Sequence, residues 1–114
     1  MMEQVLLVLT NLPDRDSAQR LAHSLIENRA AACVNILAEC HSVFRWQNKI
    51  DEVNEVPLLI KTTRAAYPRL EKLIRSQHPY ELPEIITVSE VGGLPEYLLW
   101  VANEVSSIDV SNKE

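Results

Sequence analysis

Glycine is scarce in this chain, with only Gly92 and Gly93 among 114 residues. The dinucleotide-binding fingerprint and the phosphate-binding P-loop both need glycines at defined positions, so both are excluded. No CxxC, HExxH or EF-hand spacing occurs either. Apolar runs stay far below the ~18–20 residues that span a bilayer, and the start MMEQ lacks the basic residues of a secretory signal. We therefore expect a cytoplasmic protein without a membrane partner.

Cysteine and positive charge are also in short supply. Cys33 and Cys40 are too few for a disulfide framework. Sixteen acidic residues against eleven basic ones give a net charge of −5, which repels phosphate backbones and disfavours nucleic acid as a partner. A hydrophobic content of 46% in 114 residues is ample for the core of one domain.

Apolar runs and periodic patterns predict the order β-α-β-β-α-β, followed by one more helix. This order is typical of an α+β fold, the ferredoxin-like split βαβ arrangement, in which helices cover one face of an antiparallel sheet. Residues 1–106 form this single domain, and the polar tail 107–114 is expected to fray. The predicted strands cover residues 5–9, 32–46, 52–62 and 84–91. The first predicted helix ends near residue 29, the second begins near residue 63 and the third begins near residue 94.

The second and third strands are unusually long. About 14 residues at ~3.3 Å each reach some 45 Å, so their hairpin would project past a small domain. Its edges and the aromatic residues Phe44 and Trp46 would be a liability in a soluble monomer. Pairing with other chains removes that liability, which favours an oligomer. The alternative is a bent hairpin folded onto its own sheet.

Several blocks in order resemble the CutA divalent-cation-tolerance family: NLPD at 11–14, AACVN at 31–35, Trp46 with Lys49, LIKT at 59–62, HPYELPEI at 78–85 and YLLW at 97–100. The resemblance implies a ferredoxin-like homotrimer linked to tolerance of divalent metals, copper above all. It also implies a fold shared with PII-type signalling trimers. Asn48 stands where the hairpin turn of the family usually has glycine. Thr10 and Asn11 stand where some members have Cys-Thr, so a site that needs this cysteine is absent.

Cys33 and His78 are the candidate metal ligands. A thiolate suits Cu(I), so copper or another divalent cation is the expected bound ion, although none is obligatory. The alternatives are structural: a free cysteine often packs like a small hydrophobe, and a histidine at a helix C-terminus interacts favourably with the helix dipole. No metal cluster within one chain follows from the spacing, whereas a site shared between chains remains open.

A small-ligand cleft between subunits is the other candidate site. We expect it to be lined by Trp46, Lys61, Tyr80, Glu81 and Glu84, with Glu55 and Glu90 as further carboxylates, because mixed aromatic and polar groups are typical of such clefts. In the alternative interpretation, these charges form ion pairs that hold the trimer together.

Catalysis is not expected. Residues 10–15, after the first strand, contain no glycine-rich phosphate loop, and no nucleophile elbow or triad spacing is visible. The sequence thus favours a homotrimer that binds a metal ion or a small ligand without turnover. A PII-like signalling or scaffold trimer, with a metabolite in an intersubunit cleft, is the alternative.

Overall fold

The computed structural model describes residues 4–89 and 91–106, which form one antiparallel sheet and three α-helices. The order is that of an α+β fold, as predicted. The elements are β1 (Val5–Leu12), α1 (Arg15–Glu27), β2 (Cys33–Ile36), β3 (Cys40–Trp46), β4 (Lys49–Thr63), α2 (Tyr67–Gln77), β5 (Ile86–Val88) and α3 (Pro95–Glu104). The sheet runs β2-β4-β1-β5, and β3 also pairs with β4. No described helix is long and apolar enough to cross a membrane.

One face of the sheet carries the hydrophobic core. Successive side chains of a strand point to opposite faces. The even-numbered residues of β1 and of the inner half of β4 are buried, whereas most of the odd-numbered ones are only half-buried. The even-numbered residues pack against the apolar stripes of α1 and α2, which follow the helical i, i+3, i+4 spacing. The core comprises Val8, Leu12, Ala18, Leu21, Leu25, Ala30, Ala31, Val56, Leu58, Ile60, Leu70 and Ile74.

The opposite face, here called the open face, is only partly covered. Helix α3 lies against one end of it, where Tyr97 contacts Cys33. Beyond α3 the odd-numbered residues Leu7 and Leu9 are half-buried, and β5 adds Ile86 and Val88 beside them. Ile86 remains 50% exposed and Val88 44%. Along most of β1, therefore, only the core face is fully buried in this chain alone.

The long extended segment predicted over residues 32–46 is interrupted at residues 37–39, so that prediction is wrong there. Ile36 pairs with Leu58 and Cys40 pairs with Glu55, so three residues oppose two on β4. This is a β-bulge. It lies opposite Pro57, whose carbonyl accepts a hydrogen bond from the Leu37 N–H at 2.9 Å. Proline has no N–H to donate on that edge, which explains why the regular strand pairing is interrupted there.

The hairpin of β3 and β4 projects from the sheet, as predicted from its length. Pairing of β4 with β1 ends at Val56, and the outer part of β4 pairs with β3 alone. The molecule measures 55 × 27 × 23 Å as a result. Gln47 and Asn48 form the turn with φ of 52° and 68°, the positive values of a two-residue type I′ hairpin turn. Asparagine tolerates this conformation, so glycine is not required at position 48.

Other element ends differ from the predictions for local reasons. Helix α1 is capped by Asp14, whose side chain accepts a hydrogen bond from the Ser17 N–H at 2.7 Å. Strand β1 continues three residues beyond residue 9 because β4 still pairs with it there. Helix α2 begins at Tyr67 instead of near residue 63, so Pro68 lies in its first turn, where proline is tolerated.

Strand β5 is shorter than the predicted residues 84–91. Only Ile86–Val88 pairs with β1, at Leu7–Leu9. Branched residues indicate a strand, but the length of an edge strand depends on how much neighbouring backbone is available for pairing. Residue 90 and the predicted tail 107–114 lie outside the described residues.

Candidate functional site

A cleft lies where the projecting hairpin leaves the sheet, on the side of β4 that continues the open face. The cleft consists of two adjoining cavities of about 390 and 440 Å³. These volumes lie within the usual range for small-ligand sites. The hairpin and the loop after α2 form its walls. We call it the hairpin cleft, and the residues that line both cavities are Phe44, Trp46, Glu55, Tyr80 and Leu82.

A hydrogen-bonded carboxylate forms the floor of the hairpin cleft. Glu55 is only 7% exposed. The Tyr80 hydroxyl donates to its Oε2 at 2.9 Å, and the Asn11 amide donates to its Oε1 at 3.2 Å. The same Asn11 nitrogen also donates to Glu84 Oε1 at 3.2 Å. One neutral amide therefore links two carboxylates, one from β4 and one from the loop.

His78 links the loop after α2 to β1 through hydrogen bonds. The Tyr80 N–H donates to its Nδ1 at 3.1 Å, so the ring proton is on Nε2, which donates to the Asn11 carbonyl at 2.6 Å. The rings of His78 and Tyr80 lie 4.8 Å apart. Both ring nitrogens are thus engaged within the chain. To ligate a metal ion, His78 must give up one of these hydrogen bonds.

Burial and the hydrogen bond to Glu55 raise the pKa of Tyr80 to about 12. Both causes disfavour the tyrosinate, the first by desolvation and the second by the nearby negative charge. Tyr80 therefore stays protonated and donates a hydrogen bond to Glu55 throughout the neutral pH range.

Alkaline pH is expected to destabilise the protein through Tyr80. The pKa in the folded state, about 12, lies above the unfolded value of 10. The stabilising contribution is therefore fully present below pH 10 and is lost as pH rises towards 12. Between pH 9 and pH 11.5, denaturant unfolding should show a smaller loss of stability for Tyr80→Phe than for the wild type. Absorbance titration should show that the most alkaline tyrosinate transition is missing in the variant. Identical titrations would contradict this assignment.

Lys61 and Cys33 lie away from the hairpin cleft. The Lys61 ammonium donates to the Asn35 side chain and lies 3.8 Å from Cys33 Sγ. Lys61 pairs with Leu7, four residues along β1 from Asn11, a distance of about 13 Å at ~3.3 Å per residue. The structure therefore separates Lys61 from the cleft residues with which the sequence grouped it, and it separates Cys33 from His78.

Trp46, Tyr80, Glu81 and Glu84 do come together around the cleft, and Glu55 joins them. Sequence reasoning missed other lining residues, among them Asn11, Phe44 and Asp51. Strand alternation would have placed Asn11 on the open face if β1 had been extended to Leu12. Within residues 4–89 and 91–106, no three His, Cys, Asp or Glu side chains are close enough to hold a metal ion.

Comparison with known proteins defines the class. Residues 6–104 match the family model described as "CutA1 divalent ion tolerance protein". The divalent-cation tolerance protein CutA of Thermus thermophilus is 42% identical over 100 residues, which are 88% of this chain and 95% of that protein. Crystal structures of CutA1 from Oryza sativa (TM-score 0.89, 32% identity, 94% of this chain and 98% of that one) and from Shewanella sp. SIB1 (TM-score 0.87, 39% identity, 95% and 100%) share the fold.

The matched residues run from the second residue of β1 to the end of α3, so they include nearly the whole sheet and the hairpin cleft. The matching proteins are divalent-ion tolerance proteins. The chain belongs to the CutA1 family.

Proposed function

We propose that this protein is a cytoplasmic homotrimer that serves tolerance of divalent metal ions by binding, without catalytic turnover. The observation that carries the proposal is the family match over residues 6–104. We interpret the strand order β2-β4-β1-β5 as the ferredoxin-like split βαβ arrangement. The location is testable by fractionation of the host cell with compartment markers, and a periplasmic or secreted pool would contradict it.

The exposed apolar side chains of the open face support the proposed assembly into a trimer. Monomeric soluble proteins rarely leave a large continuous apolar patch in water, and a projecting hairpin offers unpaired backbone at its edges. Further copies of the chain would cover both, and three is the number that the family resemblance implies. The exposed apolar side chains of β5, α3 and the segment between them are Ile86, Val88, Leu94, Tyr97, Leu99 and Trp100.

Cys33 is the proposed copper ligand. Its thiol is half-buried at the α3 end of the open face, and soft thiolates suit Cu(I). Because the described residues of one chain hold no ligand cluster, the proposed site takes ligands from more than one chain. His78 can ligate copper in such a site only if it gives up one of its two hydrogen bonds within the chain.

Native mass spectrometry of the reduced protein, loaded with copper and then challenged with a chelator, tests this proposal. We expect a trimer that retains a whole number of copper ions. Cys33→Ala should lose them, and the matched control Cys40→Ala should keep them. A trimer that releases all its copper would make the role in metal tolerance indirect, and a monomer would refute the assembly.

The hairpin cleft favours a second function, that of a PII-like signalling or scaffold trimer that binds a small metabolite. The observation behind it is a cavity of ligand size with aromatic walls and a hydrogen-bonded carboxylate at its floor. This second function does not require copper, so a trimer that releases all its copper in the mass-spectrometry experiment would not contradict it.

A further inference from the structure

Two arginines stand at positions that local backbone preferences disfavour. Arg29 follows the C-cap of α1 with φ of 54°, the left-handed conformation in which glycine is usual at this position. Its N–H donates to the Ile26 carbonyl at 3.1 Å, as in the Schellman motif that ends many helices. Arg69 lies in the first turn of α2, where the helix dipole disfavours a cation. Each arginine therefore carries a local cost that contacts elsewhere must offset.

Both arginines donate to the backbone at the C-terminal end of α3. Arg29 Nη1 donates to the Glu104 carbonyl at 3.0 Å, and Arg69 Nη2 donates to the Val105 carbonyl at 3.1 Å. The same Arg69 nitrogen donates to the Arg29 carbonyl at 2.6 Å. Neither α1 nor α3 has a basic residue in its last turn. The two guanidinium groups, here called the arginine junction, thus supply the donors and the positive charge that helix C-termini need.

Helix α3 depends on this junction because its other attachments to its own chain are few. Val101 is the residue of α3 that is buried in the chain, and Val105 just after the helix is buried too. The N-cap residue Leu94 makes no side-chain hydrogen bond to the helix. The arginine junction therefore fastens the C-terminal end of α3 to α1 and α2, which lie on the other face of the sheet.

The opposite end of α3 lies over Cys33, the proposed copper ligand. Tyr97, in the first turn of α3, hydrogen-bonds to Cys33, whose Sγ lies 3.8 Å from Lys61 Nζ. Tyr97 is seven residues from Glu104, about 10 Å along the helix at 1.5 Å per residue. A helix of this length moves as one unit, so the arginine junction at one end influences where Tyr97 lies at the other.

Assembly through the open face does not replace the arginine junction. Its hydrogen bonds all lie within one chain, and α1 and α2 pack on the core face of the sheet. In the proposed trimer, further copies would contact α3 from the open side, while the two arginines hold its C-terminal end from the helix layer. The contribution of the arginines can therefore be measured in the assembled protein.

We propose that Arg29 and Arg69 are positioning residues that fix α3 over Cys33 and thereby limit access to its thiol. This inference rests on the metal-binding function proposed above and adds how the thiol ligand is protected. Weakening the arginine junction would let the first turn of α3 move away from Cys33, and the thiol would then react faster.

The rate at which the Cys33 thiol reacts with the disulfide reagent DTNB in the intact protein tests the inference. Every protein carries Cys40→Ala, so that Cys33 is the remaining thiol. Arg69→Gln should raise the rate about fivefold or more, because local opening of α3 becomes easier. Arg69→Lys keeps a cationic donor on a flexible stem and should raise it by about twofold at most. The matched control Lys72→Gln removes the same charge from an exposed position of α2 and should leave the rate unchanged.

A double variant separates positioning from general loosening of the fold. Tyr97→Ala removes the side chain that covers Cys33, so in that background Arg69→Gln should change the rate by less than about twofold. Native mass spectrometry and denaturant unfolding report assembly and global stability for each variant. If Tyr97→Ala does not assemble, the comparison of glutamine with lysine at position 69 carries the test.

Equal DTNB rates in the Cys40→Ala parent and in Arg69→Gln would overturn the inference. An equal increase in Lys72→Gln would overturn it too, because it would indicate a general effect of charge. So would an increase that persists in full in the Tyr97→Ala background. Copper retention is measured separately, so a faster thiol reaction in a protein that retains no copper would support the inference and contradict the metal proposal alone.

Discussion

Ile86→Asp is expected to dissociate the proposed trimer. Ile86 lies on β5 beside Leu9 of the open face and is 50% exposed in the single chain. In the assembly this side chain would be buried, and an unpaired carboxylate in an apolar interface costs several kcal/mol. Since each 1.4 kcal/mol is tenfold in an equilibrium constant, the concentration needed for assembly should rise at least ~100-fold. Native mass spectrometry and light scattering would then show monomers.

The same substitution at Ile26 is the matched control. Ile26 is 42% exposed on α1, on the other side of the sheet from the open face. Ile26→Asp should keep the trimer, and its melting temperature should still rise with protein concentration, as it does when assembly stabilises the folded state. Dissociation in both variants, or in neither, would contradict the proposed interface.

Thr62→Val and Thr10→Val are expected to change stability in opposite directions. Both threonines are fully buried on the core face of the sheet, opposite Leu6 and Leu58 respectively. The Thr62 hydroxyl donates to the Ala30 carbonyl at 2.6 Å. Thr10 Oγ1 has no hydrogen-bond partner among the described residues. The two positions therefore compare a satisfied and an unsatisfied buried hydroxyl within one sheet.

Valine replaces the hydroxyl by a methyl group of similar size. At position 62 this leaves the Ala30 carbonyl without its donor, and we expect the free energy of unfolding to fall by about 1–3 kcal/mol. At position 10 it removes an unpaired buried hydroxyl, and we expect a gain of about 1 kcal/mol. Denaturant unfolding at one fixed protein concentration measures both. A loss at position 10 as large as that at position 62 would refute the difference in hydrogen bonding.

Local patterns predicted most of the fold because they are set by neighbours in the chain. The α1 stripe of Ala18, Leu21 and Leu25 follows helical spacing, and these residues are buried in the core. The turn at Gln47 and Asn48 and the position of Pro68 in the first turn of α2 were also predictable, since each depends on the backbone preference of one or two residues. Family resemblance in the sequence was confirmed by the match over residues 6–104.

The composition of the hairpin cleft was only half predictable. Trp46, Tyr80, Glu81 and Glu84 lie in segments whose aromatic and acidic residues stand out in the sequence, and they do meet. Lys61 stands out equally but lies about four strand positions away, because the register of β1 against β4 places it opposite Leu7. Asn11 was missed since an asparagine after an apolar run indicates a turn as readily as a strand.

The sequence by itself determined the fold class, the apolar face of each helix, the projection of the hairpin and the family, because these depend on patterns within short segments. Only the tertiary structure decided the bulge opposite Pro57, the extension of β1 and the joining of Asn11, Glu55 and Glu84 by one amide. These features depend on register and strand pairing between distant segments. A shift of one residue in register turns every side chain of a strand to the other face.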